Sequence, residues 1–143
     1  MIKACIFDLD GVIVDTAKYH FQGWQRLARH LEIPFTEEDN EKMKGISRMA
    51  SLEKILELGT KTYSDRDKQK FCMTKNTWYL DLIQRMDKKD ILPGIVDFLA
   101  HLKENNIKIA LGSASKNARF VLDKVGIKDD FQIIIEGNDV KNS

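Results

Sequence analysis

Three short apolar segments along the chain predict β-strands. They are IKACIFD at residues 2–8, IKIALG at residues 107–112 and FQIII at residues 131–135. Each segment is a nearly continuous apolar run rather than an alternation of apolar and polar residues. Such runs are typical of strands that are covered on both faces, so we expect three buried strands.

Between the first two strands, apolar residues recur every three or four positions, and this spacing predicts helices. The first helix begins near Thr16 and ends before Pro34. Three further helices are predicted to begin after N-cap residues, namely Thr36, Ser47 and Ser64. Residues 16–88 therefore form a helical segment without a strand pattern.

The pattern changes at residues 92–94 (LPG), after which helices and strands alternate. One helix begins at Ile95 and another covers residues 116–125, so each lies between two predicted strands. This alternation implies right-handed crossovers and a parallel sheet. We therefore predict an α/β fold with two domains, an α/β core of residues 1–15 and 89–143 and a helical insertion of residues 16–88.

The predicted sheet is small for a parallel sheet. The chain ends eight residues after the last isoleucine of the third strand, with the sequence EGNDVKNS and no predicted helix. Parallel sheets are normally covered by helices on both faces. We therefore expect that the C-terminal part of the core is missing from this chain.

Composition is that of a globular protein and excludes two classes of partner. The 143 residues are 43% apolar, and 23 basic against 22 acidic residues give a formal net charge of +1. That balance favours neither nucleic acid nor an anionic membrane surface. No apolar run reaches the roughly 20 residues of a membrane-spanning helix, and Asp8 and Asp10 interrupt the N-terminal run. We expect a cytoplasmic monomer in which Cys5 and Cys72 are reduced thiols.

Asp8 and Asp10 are the strongest candidates for chemistry. They follow the first predicted strand, and open α/β sheets bind ligands at the carboxyl ends of their strands. If the strand persists this far, both carboxylates lie on one side, and Gly11 allows a tight turn. Two adjacent anions need a cation, and Mg²⁺ shared with a substrate phosphate would supply it. One carboxylate could then attack phosphorus while the other moves protons; alternatively, both merely cap a loop.

Residues 113–117 (SASKN) form a second candidate site. They end the second predicted strand and begin a helix. Hydroxyls, free backbone N–H groups and a lysine at a helix N-terminus can bind phosphate. The alternative is a plain N-cap with a solvated lysine. The polar residues at the end of the first strand favour the phosphate site.

The helical segment contains further candidates. Residues 44–48 (KGISR) form a basic turn between two predicted helices. Arg48 could contact a phosphate in a bidentate manner, although a surface turn is the simpler interpretation. His20 shares a helical face with Thr16 and Trp24, and packing alone would explain that arrangement.

Together these motifs resemble the haloacid-dehalogenase superfamily. FDLDGV at residues 7–12, followed by Asp15 and Thr16, resembles its first motif, and IALGSAS at residues 109–115 resembles its second. The helical insertion is similar to the cap of the subgroup that contains the β-phosphoglucomutase family. DTAKYHF, KGISR with Ser51, LPG and SASKN resemble that family in particular, and the resemblance extends over the whole chain.

The resemblance implies a Rossmann-like parallel core with a helical cap, and Mg²⁺-dependent interconversion of β-glucose 1-phosphate and glucose 6-phosphate through β-glucose 1,6-bisphosphate. It implies that Asp8 forms an aspartyl-phosphate, that Asp10 is the general acid and base, and that both bind Mg²⁺. Ser113 would bind the transferring phosphate and Arg48 the distal one. The positioning residues would be Thr16, His20 and Trp24. The residues that bind substrate and phosphate would be Asp10, Gly45, Ile46, Arg48, Ser51, Ser113, Ala114, Ser115, Lys116 and Asn117.

The chain departs from the family pattern at its C-terminal end. The family has a lysine that stabilises the phosphoaspartate and an acidic pair that completes the Mg²⁺ shell, and this chain ends at Asn142 and Ser143 without them. Glu136 and Asp139 precede that segment and are not assigned to these roles. We therefore expect a poor catalyst if this chain acts alone. The alternatives are a small-molecule phosphatase with the same nucleophile, or an inactive fragment that binds sugar phosphate.

Overall fold

The computed structural model describes residues 1–141, so Asn142 and Ser143 of the predicted core lie outside the described part. The chain divides into two compact units. The first unit consists of Met1–Thr16 and Arg85–Ser143, and the second unit is Ala17–Gln84. Among the described residues, no helix combines the length and the apolar character needed to cross a membrane.

Three strands and six α-helices lie within residues 1–141. The first unit contains β1 (Ala4–Phe7), β2 (Lys108–Gly112), β3 (Ile133–Ile135), α5 (Ile95–Glu104) and α6 (Ala118–Lys124). The second unit contains α1 (Ala17–His30), α2 (Glu37–Glu41), α3 (Arg48–Glu57) and α4 (Asp65–Ile83). Each predicted element is present, and most differ from the prediction only at their ends. For example, α6 is shorter than the predicted 116–125.

The first unit is built on a parallel sheet with the strand order β1-β2-β3. In its register, Phe7 pairs with Leu111 and Leu111 pairs with Ile134. The predicted α/β fold with a parallel sheet is therefore confirmed. Because the strands are parallel, their three carboxyl ends lie at one edge of the sheet.

Only one face of this sheet is covered among the described residues. Phe7 and Leu111 are buried, and the Phe7 ring contacts the Phe98 ring of α5 edge-to-face, with centroids 5.9 Å apart. On the other face, Ile6 and Ile133 are 78% and 59% exposed. The helix α5 packs against the face that carries Phe7. The prediction that the strands are covered on both faces is therefore wrong for the face that carries Ile6 and Ile133.

Side-chain caps begin α2, α3 and α4 of the second unit. The Thr36 hydroxyl accepts the backbone N–H of Asp39, and the Asp39 carboxylate accepts the backbone N–H of Thr36 at 3.0 Å. This reciprocal pair satisfies two N–H groups that the first turn of a helix leaves unpaired. The predicted N-caps at the other two helices are also confirmed, since Ser47 accepts the N–H of Ala50 and Ser64 accepts that of Asp67.

The second unit has an apolar core of its own. Trp24 and Leu27 of α1 pack with Leu52 and Ile55 of α3 and with Cys72 of α4. Leu52 and Ile55 are fully buried. The apolar stripes that predicted these helices therefore form the interior of a single helical unit.

We expect Leu52→Ala to lower the free energy of unfolding by about 3 kcal/mol, because it leaves a cavity in this core. Leu58→Ala is the matched control, since Leu58 directly follows α3 and is 43% exposed, and its loss should be about 1 kcal/mol or less. Urea unfolding followed by circular dichroism measures both. Equal losses in the two variants would contradict this assignment of the core.

Candidate active site

Asp8 and Asp10 lie in a tight turn that follows β1. The carbonyl oxygen of Leu9 accepts the backbone N–H of Ile13 at 2.9 Å and that of Val14 at 3.2 Å. β1 ends at Phe7, so Asp8 and Asp10 lie outside the strand. The alternation of side chains along a strand therefore does not determine the positions of their carboxylates. The turn places them instead, with the fully buried side chain of Leu9 between them.

Gly11 completes the turn in a left-handed conformation, with φ of +76°. Its N–H donates to the carbonyl of Val14 at 2.8 Å. Residues with a Cβ are strained in this region of φ, so glycine suits the position. The predicted tight turn at Gly11 is confirmed.

The Asp8 carboxylate lies in an unfavourable electrostatic position. Partial burial raises its pKa above the ordinary carboxyl value, and the nearby charge of Asp10 raises it further. The backbone N–H of Leu9 donates to Oδ1 at 2.7 Å and opposes both effects. Two carboxylates in this arrangement are stabilised when a cation neutralises part of their charge.

Thr16 orients the Asp10 carboxylate. The Thr16 hydroxyl donates a short hydrogen bond to Oδ1 of Asp10, and Thr16 is fully buried. A hydrogen bond to an ionised carboxylate is stronger than one between neutral groups, so it holds the carboxylate firmly. The first unit thus brings together Asp10 and one of its predicted positioning residues.

Asp8 and Asp10 offer the oxygen donors that suit a hard divalent cation. Proteins commonly hold Mg²⁺ with one or two carboxylates, while water and substrate phosphate complete its shell. A cation would favour the ionised form of Asp8, whose pKa is raised by partial burial and further by the charge of Asp10. Within residues 1–141, no group of three or more His, Cys, Asp or Glu side chains could hold a metal ion.

Residues 113–117 follow β2 at the same edge of the sheet as Asp8. Phe7, the last residue of β1, pairs with Leu111, so Asp8 and this segment follow neighbouring strands at the same edge. The backbone N–H of Ser113 donates to the carbonyl of Ile135 at 3.0 Å and continues the pairing with β3. The two predicted strand-end sites therefore lie on neighbouring strands of one sheet.

Serine hydroxyls within this segment accept two of its backbone N–H groups. Oγ of Ser113 accepts the N–H of Ser115 at 3.1 Å, and Oγ of Ser115 accepts the N–H of Asn117 at 3.2 Å. The expectation of free N–H groups is wrong at these two positions, because the hydroxyls fold the segment into successive turns. Each hydroxyl keeps its own hydrogen, which it can donate to an anion.

Four of the candidates in the second unit lie at or near the start of α3. Gly45 has φ of +76°, and Ile46 packs partly buried against the core. Arg48 is the first residue of α3, and Ser51 is buried one turn later. Burial lowers the pKa of the Arg48 guanidinium from its usual value, yet arginine remains charged at neutral pH.

His20 and Trp24 of α1 lie beside a buried lysine that the sequence analysis missed. Lys75 of α4 is 3% exposed, and its Nζ lies 3.0 Å from Nδ1 of His20 and 4.6 Å from the Trp24 ring centroid. Tyr79 stacks on His20, with centroids 4.2 Å apart. When Lys75 carries its charge, its ammonium only donates, and Nδ1 of His20 is then the acceptor.

Arg119 of α6 is a second residue that the sequence analysis missed. Its guanidinium pairs with Glu136 at 3.0 Å and with Asp139 at 2.9 Å. The backbone N–H of Glu136 and then Arg119 hold the pKa of Asp139 below its usual range. Glu136 and Asp139, the two acids nearest the C-terminal end, are thus both paired with Arg119.

The structure gathers the predicted site residues into two groups, one in each unit. The first unit holds Asp8, Asp10, Thr16, Ser113, Ala114, Ser115, Lys116 and Asn117. The second unit holds His20, Trp24, Gly45, Ile46, Arg48 and Ser51.

Two enzymes with related chemistry are similar to this chain in sequence. Beta-phosphoglucomutase of Bacillus subtilis is 49% identical over 138 residues, which cover 94% of this chain and 61% of the relative. A phosphorylated carbohydrates phosphatase of Thermotoga maritima is 26% identical over 144 residues, which cover 99% of this chain and 64% of that protein. The chain therefore spans less than two thirds of the length of either relative.

The fold is also similar to a solved structure. The crystal structure of beta-phosphoglucomutase from Clostridium difficile matches with a TM-score of 0.95 and 50% identity, over 100% of this chain and 65% of that one. The family model of haloacid dehalogenase-like hydrolases matches residues 2–143. These matches confirm the resemblance that the motifs around Asp8 and Ser113 indicated. The chain belongs to the haloacid dehalogenase-like hydrolase family.

Proposed function

We propose that the protein is a Mg²⁺-dependent phosphosugar mutase that interconverts β-glucose 1-phosphate and glucose 6-phosphate through β-glucose 1,6-bisphosphate. The observation that carries the proposal is the similarity to beta-phosphoglucomutase of Clostridium difficile, which covers the whole of this chain at 50% identity. The turn that holds Asp8 and Asp10 supports the same chemistry. Because the chain spans 65% of that structure, the proposal concerns the activity of the complete protein.

We assign a role to each unit. The first unit, residues 1–16 and 85–143, would be the catalytic core, because it holds the paired carboxylates and the strand ends. The second unit, residues 17–84, would be the helical cap. The protein would act as a cytoplasmic monomer on a small phosphosugar.

Asp8 would be the nucleophile. One oxygen of its carboxylate attacks the phosphorus of the substrate, the bond between phosphorus and the sugar oxygen breaks, and an aspartyl-phosphate forms. The N–H of Leu9 orients the carboxylate through its bond to Oδ1. When bound by the Asp8 carboxylate and the Asp10 backbone carbonyl, Mg²⁺ would neutralise charge on the reacting groups.

Asp10 would be the general acid and base. It donates a proton to the sugar oxygen that leaves phosphorus, and it accepts a proton from the sugar hydroxyl that later attacks the aspartyl-phosphate. Thr16 keeps one carboxylate oxygen in a fixed direction through its short hydrogen bond. Thr16 is therefore a positioning residue for Asp10.

The segment 113–117 would bind phosphate groups of the substrate. Ser113, directly after β2, would donate its hydroxyl hydrogen to the phosphate that is transferred. The non-transferring phosphate would be bound by the remainder of the segment, namely Ala114, Ser115, Lys116 and Asn117. Lys116 is exposed and brings the positive charge that a phosphate requires.

The second unit would contribute binding and positioning residues. Arg48 would form a bidentate contact with the non-transferring phosphate, and Ser51 would support it from the next turn of α3. Gly45 and Ile46 would contact the sugar. The positioning residues of this unit would be His20 and Trp24, which share contact with Lys75.

A phosphatase is the second candidate, because the phosphorylated carbohydrates phosphatase of Thermotoga maritima is 26% identical over 99% of this chain. The two activities differ in their product. Phosphorus NMR of the complete protein with β-glucose 1-phosphate, Mg²⁺ and a trace of β-glucose 1,6-bisphosphate distinguishes them. Accumulation of glucose 6-phosphate supports the mutase, whereas release of inorganic phosphate without it would overturn the mutase proposal.

We expect Asp8→Asn to lower kcat for phosphosugar turnover by about 10³-fold or more, because the amide cannot replace the attacking carboxylate. The melting temperature should not fall, since the substitution removes a carboxylate whose charged form is disfavoured by partial burial and by the charge of Asp10. Asp97→Asn, at an exposed position of α5, is the matched control and should retain activity. Turnover by Asp8→Asn at the wild-type rate would reject Asp8 as the nucleophile.

We expect Thr16→Val to lower kcat by about 10- to 100-fold with little change in KM, because a hydrogen bond to a charged group contributes about 1.5–3 kcal/mol. Valine keeps the size and branching of threonine, so the fold should survive. Steady-state kinetics measures both constants. A rise in KM with an unchanged kcat would instead place Thr16 in substrate binding.

We expect Arg48→Ala to lower kcat/KM for β-glucose 1-phosphate by about 10²-fold, since a charged, bidentate phosphate contact is lost. The rate of p-nitrophenyl phosphate hydrolysis should change by less than about threefold, because that ester has only the phosphate that is transferred and none for Arg48 to bind. Arg66→Ala, at an exposed position of α4, is the control. Equal losses with both substrates would exclude the distal-phosphate role.

A further inference from the structure

The loop that follows β3, residues 136–139, is hydrogen-bonded to the segment 113–117. The N–H of Gly137 donates to the carbonyl of Ser115 at 2.9 Å, and Nδ2 of Asn138 donates to the carbonyl of Lys116 at 2.9 Å. The approach is so close that a Cβ at position 137 would lie 2.5 Å from the carbonyl oxygen of Ala114. Glycine is therefore required at this position by contact with the neighbouring backbone.

Arg119 holds this loop in place. Its guanidinium donates to Glu136 at 3.0 Å, to Asp139 at 2.9 Å and to the backbone carbonyl of Ile134 at 2.7 Å. A planar guanidinium with several donors suits three acceptors better than a lysine ammonium would. One side chain of α6 thus connects the end of β3 to both acids of the loop.

Glu136 is the centre of the arrangement. It is 7% exposed, and its Oε2 accepts the backbone N–H of Arg119 at 3.0 Å while Oε1 also accepts Nδ2 of Asn138 at 3.1 Å. The backbone N–H of Glu136 donates to Asp139 at 2.9 Å. A buried carboxylate is costly unless it is paired and hydrogen-bonded, so this network specifies one conformation of the loop.

These bonds determine the direction of peptide groups in the segment 113–117. The peptide unit is planar and trans, so its C=O and N–H point in opposite directions. The carbonyl of Ser115 is held towards Gly137, and the N–H of Lys116 in the same peptide unit must therefore point away from the loop. The N–H of Lys116 is thus aimed by residues that lie outside the segment.

We propose that Arg119, through Glu136 and the loop 136–139, is a positioning residue for the phosphate-binding segment 113–117. It would fix the N–H of Lys116, and the lysine that carries it, in the orientation that binds the non-transferring phosphate of the sugar. This inference rests on the proposed function, because it assigns that phosphate to residues 115–117. Its tests include one measurement that does not depend on turnover.

The kinetic test compares Arg119→Met with Arg119→Lys in the complete protein. We expect Arg119→Met to raise KM for β-glucose 1-phosphate about tenfold while kcat stays within about twofold, since the reacting carboxylates are not moved. Arg119→Lys should recover part of the affinity, because it restores a positive charge without the planar fork. Arg85→Met, at an exposed position of the same unit, is the matched control and should leave both constants unchanged.

The second test is hydrogen exchange of backbone amides, which requires no substrate. Arg119→Met should accelerate exchange at Gly137 and Asn117 by about tenfold, while the amides of β2 keep their wild-type rates. Asp139→Ala provides a milder variant if Arg119→Met unfolds, because the buried Glu136 then keeps its arginine. It should change exchange and KM in the same direction.

Two results would overturn the proposal. Unchanged exchange at both amides would show that Arg119 does not hold the loop. If kcat falls by the same factor as KM rises, or if kcat/KM for p-nitrophenyl phosphate falls as much as that for β-glucose 1-phosphate, the substitution damages the site in general and does not act on one phosphate. If wild-type protein releases only inorganic phosphate, the mutase proposal fails, and the exchange measurement still decides whether Arg119 holds the segment.

Discussion

The tight turn after β1 is the constraint on which the site depends, because its hydrogen bonds to the Leu9 carbonyl place Asp8 and Asp10. The chain leaves β1 in a turn whose centre is the buried Leu9, and this turn presents an acid on either side of it. Partial burial raises the pKa of Asp8, and the charge of Asp10 raises it further. The Leu9 N–H and the Thr16 hydroxyl each donate to one of the acids, and a divalent cation would offset the remaining repulsion. The turn therefore presents two carboxylates whose charges a bound cation would partly neutralise.

The parallel sheet determines which other residues can act with this turn. Pairing of β1 with β2 puts Ser113 on the neighbouring strand end, and the bond from its N–H to Ile135 extends the same edge to β3. The three strand ends thus supply an acidic turn, a hydroxyl-rich segment and a loop that holds that segment. Each of these three segments follows a strand that is hydrogen-bonded to its neighbour. The neighbouring strand therefore resists small displacements of any one strand end.

Local patterns in the sequence predicted the elements and most of their caps. Thr36, Ser47 and Ser64 act within four residues of themselves, so their hydrogen bonds could be read from spacing alone. The position of the two carboxylates in the turn after β1 could not, because that turn depends on three N–H groups that donate to the carbonyl of Leu9. The contacts of Lys75 with His20 and of Arg119 with Glu136 join positions 55 and 17 residues apart. No local period encodes such pairs, since they arise only when separate elements pack.

The two serines of the segment 113–117 have a structural role as well as a proposed role in binding. The hydroxyls of Ser113 and Ser115 each accept a backbone N–H, so they build the segment as well as offering a hydrogen to an anion. Replacing either serine would therefore change shape and binding together. Arg119 contacts the loop 136–139, not the anion-binding groups, and its removal changes the support while every proposed phosphate ligand remains. Substitution of Arg119 therefore separates the contribution of the segment's geometry to phosphate binding from that of the binding groups, which substitution of a serine cannot do.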